Sequence, residues 1–248
     1  MNRFSIFRIS EFILIYLITV FSYNFSSAQG FEGYYLNPTI NNNTIVFVAE
    51  GDLWTVPLSG GLAQRITTHP EEENFPSISP DGKTIAFSAS YEGPLEVYTM
   101  PVEGGIPTRW TYERDPSVTN SWTPDGKVIY NTRAYSKVPD NQIVSIDLLT
   151  KQKTKIPLAQ ASEAAYDVSG KTVYFVRPAY HRNVTKRYKG GTARQIWKYT
   201  EGANEAVKLT KDHLGGSHHP MWYSGRISVS YTHLRAHETP EHLVCRLL

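Results

Sequence analysis

The chain has 248 residues, of which 40% are hydrophobic and 19% charged, so it can bury the core of one large domain or of two smaller ones. Its net charge of +2 is too small to indicate a nucleic-acid partner. Aromatic residues make up 12% of the chain, which is typical of β-rich folds because strands carry such side chains on half-buried faces.

The N-terminus has the pattern of a secretory signal peptide. Arg3 and Arg8 give a basic start, and a ten-residue apolar run without charge follows at 12–21. Small residues at 26–28 fit a signal-peptidase site, so we expect cleavage after Ala28. The run is too short to span a membrane, which takes about 20 residues. The sequence therefore predicts an exported protein, periplasmic or extracellular, with no membrane span after cleavage.

A repeated unit follows along the mature chain. "FPSISPDGKTIAFSA" at 75–89 returns as "NSWTPDGKVIYNTRA" at 120–134 and, more weakly, as "AAYDVSGKTVYFVRP" at 164–178. Asp-Gly or Ser-Gly in each copy supplies the left-handed residue of a tight hairpin turn. An alternating apolar strand and two further strands then complete the unit. Glycines in equivalent turns are 44 residues apart: Gly82, Gly126 and Gly170.

Four strands in about 40 to 45 residues is the pattern of a β-propeller blade. The sequence thus predicts an all-β fold in which residues 29–228 form an incomplete propeller of about four four-stranded blades. We expect the blades at 31–70, 71–115, 116–160 and 161–214, with the start of a fifth at 215–228.

The repeats resemble those of TolB and of the tricorn-type peptidases. The stretch from Glu50 to Gly105, "EGDLWTVPLSGG…LEVYTMPVEGG", is similar to the first propeller of secreted bacterial tricorn protease homologues. "KRYKGGTARQIWKYT" at 186–200 and "HHPMW" at 218–222 fit the same family. The resemblance implies a six-bladed propeller that filters and channels peptides, followed in the parent protein by a second propeller and a serine-peptidase core. It also implies oligopeptide substrates and a homo-oligomer.

Two other functions remain open at this point. The propeller could be a non-enzymatic, TolB-like scaffold that binds envelope proteins, or it could precede the α/β-hydrolase domain of a prolyl-oligopeptidase-like enzyme. The sequence has no G-x-S-x-G elbow, and the serines of its Pro-Asp-Gly repeats fit turn chemistry. We therefore expect no catalytic residue, no cofactor and an inactive chain on its own.

The histidines of "KDHLGGSHHPMW" do not predict a metal site. Side chains alternate in direction along an extended strand, so His218 and His219 are expected to point apart and to anchor the strand. We predict no metal ligand in this chain.

The stretch at 180–195, "YHRNVTKRYKGGTARQ", is the candidate binding segment. Long connections on a propeller face carry binding residues more often than the strands do. Its cationic side chains could hold a peptide carboxylate or acidic side chains by charge-assisted hydrogen bonds. The alternatives are a solvated basic loop and a loop that packs on the next propeller of the full protein. The candidate peptide-binding residues are Arg182, Lys186, Arg187, Lys189 and Arg194.

The last residues, 229–248, break the repeat. "SYTHLRAHET" and "HLVCRLL" resemble the translation of a sequencing-library adapter, and the apolar alternation fails where they begin. We therefore interpret this segment as adapter-derived. On this interpretation its histidines and Cys245 do not form a metal site. Without them the mature segment has no cysteine, which fits an oxidising compartment.

Overall fold

The computed structural model describes residues 33–178, 191–213, 215–231 and 244–247. The predicted signal peptide at 1–28 lies outside the described residues. All of those described except Gly33 belong to one compact unit. Over the described ranges the chain forms nineteen strands and no helix that could cross a membrane.

The strands form five antiparallel sheets in chain order. The first contains β1 to β4 (Leu36–Asn41, Thr44–Ala49, Asp52–Pro57, Gln64–Arg65), and the second contains β5 to β8 (Glu73–Ile78, Thr84–Ala89, Glu96–Pro101, Thr108–Arg109). The third contains β9 to β12 (Ser117–Trp122, Val128–Thr132, Gln142–Ile146, Lys153–Lys155). The fourth contains β13 to β16 (Ser162–Tyr166, Thr172–Arg177, Gln195–Thr200, Val207–Lys208). The fifth has three strands, β17 to β19 (Ser217–Tyr223, Arg226–Tyr231, Val244–Leu247).

Four consecutive four-stranded sheets confirm the predicted blades of a partial β-propeller. In the second, third and fourth blades, the turn that the sequence indicated joins the first strand to the second. In the second blade Gly82 takes a φ of 75°, while Asp81 accepts hydrogen bonds from the Ser79 hydroxyl at 2.6 Å and the Lys83 N–H at 3.1 Å. The Asp-Gly pair thus satisfies the local polar groups and provides the left-handed residue.

The first strand of each sheet lies innermost. Strands β1, β5, β9, β13 and β17 contact one another in that order, as strands around a propeller axis do. Hydrogen bonds reinforce these contacts between blades: the Trp122 indole donates to the Ser77 carbonyl at 2.9 Å, and the Ser121 hydroxyl donates to the Ala164 carbonyl at 2.7 Å.

Four apolar cores lie between successive sheets. The core between the first two blades includes Val46, Leu53, Ile85 and Phe87, all fully buried. Equivalent cores join blades two and three, three and four, and four and five. Every blade therefore depends on its neighbour to bury its faces, as in other repeat folds.

A threonine hydroxyl closes the outer side of three blades, an arrangement we call the threonine clasp. In the second blade Thr111 accepts the Val97 N–H at 2.8 Å and donates to the buried Glu96 carboxylate. In the fourth blade Thr210 accepts the Ile196 N–H at 3.0 Å and donates to Gln195 at 2.7 Å. The clasp ties the start of the third strand to the end of the fourth.

In the first blade Thr67 accepts the Leu53 N–H at 2.7 Å and donates to Glu73, the first residue of the next blade, at 2.8 Å. The third blade lacks the clasp because Pro157 follows Ile156 at the equivalent position. Accordingly, the Gln142 Oε1 atom has no hydrogen-bond partner within the described part of the chain.

The fifth sheet includes part of the segment interpreted as adapter-derived. Strand β18 runs through Val229 to Tyr231, and the backbone of Val244–Leu247 pairs with it. An open sheet edge presents unpaired backbone groups that can pair with an extended segment whatever its side chains. The backbone pairing therefore does not decide the origin of residues 229–248, which stays a prediction.

Candidate functional site

Every innermost strand carries a β-bulge, at the same position in four sheets and one residue later in the third. The pairing register shifts at Asn37, Phe75, Asn120, Glu163 and His219, each of which has no partner on the second strand of its sheet. Four of them have a left-handed backbone, with φ between 47° and 54°. Such a conformation costs energy for a non-glycine residue, so its recurrence indicates that the fold holds it in place.

The bulges of the fourth and fifth blades bring polar side chains together. Glu163 Oε2 accepts the His219 backbone N–H at 2.7 Å, and Glu163 Oε1 accepts a hydrogen bond from Arg194 at 3.2 Å. The Nδ1 atoms of His218 and His219 are 2.8 Å apart, with one ring as donor and the other as acceptor. These four residues form what we call the axial cluster.

The local chain path explains why these four residues meet. The Ser217 N–H donates to the Arg194 carbonyl at 2.8 Å, which sets the start of β17 beside the start of β15. The left-handed φ of 49° at His219 interrupts the strand, so its ring does not turn away from that of His218. The expectation that alternation would separate the two rings is therefore wrong, because the bulge cancels the alternation.

The half-buried position of His218 favours the neutral form of its ring. Desolvation, with the neighbouring His219 and Arg194 adding to it, lowers the pKa of His218 to about 4, although the Glu163 carboxylate acts in the opposite direction. At neutral pH the His218 ring therefore offers a lone pair rather than a second positive charge beside Arg194.

Of the five candidate peptide-binding residues, only Arg194 lies in the described part of the chain. Its guanidinium is bound to Glu163, and its side chain is 21% exposed. Arg182, Lys186, Arg187 and Lys189 lie outside the described residues. The structure thus places one end of the basic segment, Arg194, at the innermost strands and within the axial cluster.

Glu163 was not singled out from the sequence. A signal for it exists: in three copies of the repeat the bulged residue precedes a proline, at Asn37-Pro38, Phe75-Pro76 and His219-Pro220. When the fourth copy is aligned with these three, Glu163-Ala164 falls where they have the dipeptide that ends in proline, so Glu163 takes the place of the bulged residue. The repeat thus contains the information, although the residue types at the bulge differ from blade to blade.

A separate cleft of about 490 Å³ lies between the first two blades. The Tyr98 side chain lines it and is 4% exposed, and its hydroxyl has no hydrogen-bond partner within the described ranges. Beside the cleft the Glu73 carboxylate is fully buried, and burial raises its pKa against the hydrogen bonds from Tyr91 and Thr67.

Comparison with known proteins assigns a family to this architecture. Residues 32–231 match the tricorn protease N-terminal beta propeller domain. Tricorn protease homolog 1 of Streptomyces coelicolor is 30% identical over 199 residues, which cover 79% of this chain and 18% of that protein. The chain therefore spans about a fifth of the length of this relative.

Solved structures agree on the fold. The tricorn protease crystal structure matches with a TM-score of 0.69 at 23% identity, over 80% of this chain and 20% of that one. The putative TolB from Agrobacterium tumefaciens also matches with a TM-score of 0.69, at 21% identity, over 88% of this chain and 76% of that one. Identities this low show the propeller fold alone, but the family match covers nearly all of the blades. On that match, the chain belongs to the tricorn protease N-terminal β-propeller family.

Proposed function

We propose that this chain is the substrate-handling propeller of an exported, tricorn-like serine peptidase that degrades oligopeptides. The observation that carries the proposal is the family match over residues 32–231, which covers all four complete blades. The catalytic serine set, the six-bladed closure and the homo-oligomer belong to the parent protein and are part of the same proposal. In it the described blades bind and guide peptides but perform no chemistry.

The proposed peptide path runs along the innermost strands. The bulges recur there in all five sheets, and the side chains of two bulged residues, Phe75 and His219, are exposed. The basic segment reaches these strands at Arg194. Long-range attraction by Arg182, Lys186, Arg187 and Lys189 would then favour peptides with acidic side chains or a free C-terminal carboxylate.

Peptide binding tests this path. We expect a fluorescein-labelled peptide rich in Asp and Glu to bind the full chain more tightly than the same peptide with Lys at those positions. The affinity should fall as salt is raised, because the attraction is between exposed charges. Fluorescence anisotropy at low and high ionic strength measures both effects.

The matched variants are Lys186→Glu in the basic segment and Lys155→Glu at an exposed position of the third blade. Lys186→Glu should weaken binding of the acidic peptide by about fivefold to tenfold, which corresponds to roughly 1–1.4 kcal/mol. Lys155→Glu should leave it within twofold. Equal affinities for the acidic and the basic peptide would contradict the proposed role of the segment.

We also propose that the protein is exported and processed. Peptide mapping of the native protein from the envelope and secreted fractions of the source cells tests this and the parent architecture together. We expect the first peptide to begin at Gln29 and further peptides to continue past Ile227 into additional blades and a peptidase core. A native protein that contains the peptide "AHETPEHLVCR" would instead rule out an adapter origin for the tail and remove the case for a downstream peptidase.

A further inference from the structure

We infer that Glu163, His218 and His219 form a binding site for a divalent transition-metal ion of the Zn²⁺ type. One ligand atom from each of the three side chains lies within 4.8 Å of the other two. They come from the innermost strands of two neighbouring blades, so an ion bound here would join the fourth blade to the fifth. The inference does not depend on the proposed peptidase function.

The arrangement of donors suits a metal ion. The two Nδ1 atoms already face each other at 2.8 Å, whereas two imidazole nitrogens bound to one tetrahedral Zn²⁺ ion lie about 3.3 Å apart. A separation of the two rings by about half an ångström would therefore admit the ion. The rings sit on one strand and its bulge, and small rotations about their side-chain bonds can supply that movement.

The carboxylate is held in place by the groups around it. Arg194 donates to Glu163 Oε1, and the His219 N–H donates to Oε2, while each oxygen keeps a second lone pair. Hydrogen bonds to a ligating carboxylate of this kind fix its orientation and are a regular feature of metal sites. The site is thus partly pre-organised by residues that do not themselves bind the ion.

The donor set also selects the class of metal. Two imidazoles and one carboxylate suit Zn²⁺, Ni²⁺ or Cu²⁺, whereas Ca²⁺ and Mg²⁺ require more oxygen donors. The Arg194 guanidinium offsets the single negative charge of Glu163, so Coulomb attraction alone would not hold a hard cation here. Three protein donors leave a fourth position for water or for a group of a bound peptide.

The test must exclude the histidines and the cysteine near the C-terminus, which could bind metal by themselves. The full chain is therefore prepared with four substitutions: His233→Ala, His237→Ala, His242→Ala and Cys245→Ser. Isothermal titration with ZnCl₂ should then give one ion per chain. Co²⁺ in place of Zn²⁺ provides a second readout, because its visible absorption reports on the ligand geometry.

Two variants in this background test the ligands. His219→Asn removes the imidazole and keeps a residue that tolerates the left-handed backbone, and Glu163→Gln removes the negative charge with little change in shape. Each should weaken Zn²⁺ binding at least about tenfold, because even the loss of a residue that only supports a metal ligand weakens binding by that much. The control Glu205→Gln, at an exposed position of the fourth blade, should bind as the background does.

Far-UV circular dichroism establishes that each variant retains its strands. If His219→Asn is unfolded, Glu163→Gln decides the result. The inference fails if the background chain does not bind Zn²⁺, or if the folded variants bind it as tightly as the background does.

Discussion

Replacement of Glu96 by alanine should lower the free energy of unfolding by about 3–5 kcal/mol, enough to remove a large part of the stability of an ordinary domain. Glu96 is 1% exposed and accepts hydrogen bonds from the Thr111 hydroxyl and, at 3.3 Å, from Arg109. Without it, the Arg109 guanidinium, which is 15% exposed, keeps the exposed Glu92 as its one charged partner in the described part of the chain.

The loss extends beyond one ion pair because Glu96 is the acceptor of a threonine clasp. The Thr111 hydroxyl that donates to it also accepts the Val97 N–H, so the variant leaves a buried hydroxyl without an acceptor at the point where β7 and the end of β8 meet. The second blade should therefore loosen at its outer side first.

Urea unfolding followed by tryptophan fluorescence measures the effect of Glu96→Ala. Glu103→Ala is the matched control, since Glu103 lies in the same blade but is exposed, and a substitution there should change stability by less than about 0.5 kcal/mol. Similar unfolding midpoints for the two variants would show that the clasp does not stabilise the blade.

The fold could be predicted from the sequence because its determinants are local and repeated. Asp81-Gly82 and Asp125-Gly126 mark the same hairpin turn 44 residues apart, and alternating strands follow each turn. Each copy specifies a four-stranded sheet through its own turn and strand pattern, and the period then specifies the stacking of one sheet on the next. The resemblance to the tricorn family, made on the same repeats, was confirmed by the family match.

The axial cluster could be predicted only in part, because it depends on backbone irregularity and on contacts between blades. A strict alternation rule places His218 and His219 on opposite faces, and only the bulge at His219 overturns that conclusion. Glu163 lies 56 residues from His219, and no spacing rule joins two residues at that distance. The threonine clasps were missed for a similar reason: Thr67, Thr111 and Thr210 each follow a short fourth strand, and nothing in the sequence distinguishes them until their buried acceptors are seen.

Replacement of Glu113 by glutamine should lower stability at neutral pH by about 2–3 kcal/mol. Glu113 lies in the loop between the second and third blades, and its side chain is 5% exposed. Its carboxylate accepts hydrogen bonds from Lys153 at 2.9 and 3.1 Å, from the Tyr130 hydroxyl at 2.8 Å and from the Tyr135 hydroxyl at 2.7 Å. The Tyr112 N–H also donates to it at 3.0 Å.

All of these partners are donors, and this fact determines the effect of the amide. A glutamine can keep its oxygen at one carboxylate position, but its NH₂ group then faces the N–H of Tyr112 and the ammonium of Lys153. Two groups of donors cannot satisfy each other, so at least one buried donor loses its acceptor. The third blade would be held less firmly to the loop that enters it.

The effect should depend on pH, and its sign follows from the pKa of Glu113. Burial alone would raise that pKa, but the hydrogen bonds from Lys153, Tyr135, Tyr112 and Tyr130 outweigh it and lower the pKa below the ordinary value of 4.5. The folded chain therefore binds fewer protons than the unfolded chain between the lowered pKa and 4.5. The carboxylate contributes its full stability above this window and loses it as the pH falls through the lowered value.

The free energy of unfolding, measured from pH 7 to pH 3, should thus be higher for the wild type than for Glu113→Gln. This stability gap should be widest at neutral pH and should narrow below about pH 4.5. Glu103→Gln, at an exposed position, should follow the wild type across the whole range. A gap that stays constant down to pH 3 would mean that the loss in Glu113→Gln comes from packing rather than from the charge. A gap that closes with acid would identify the Glu113 carboxylate as a pH-sensitive link between the second and third blades of the propeller.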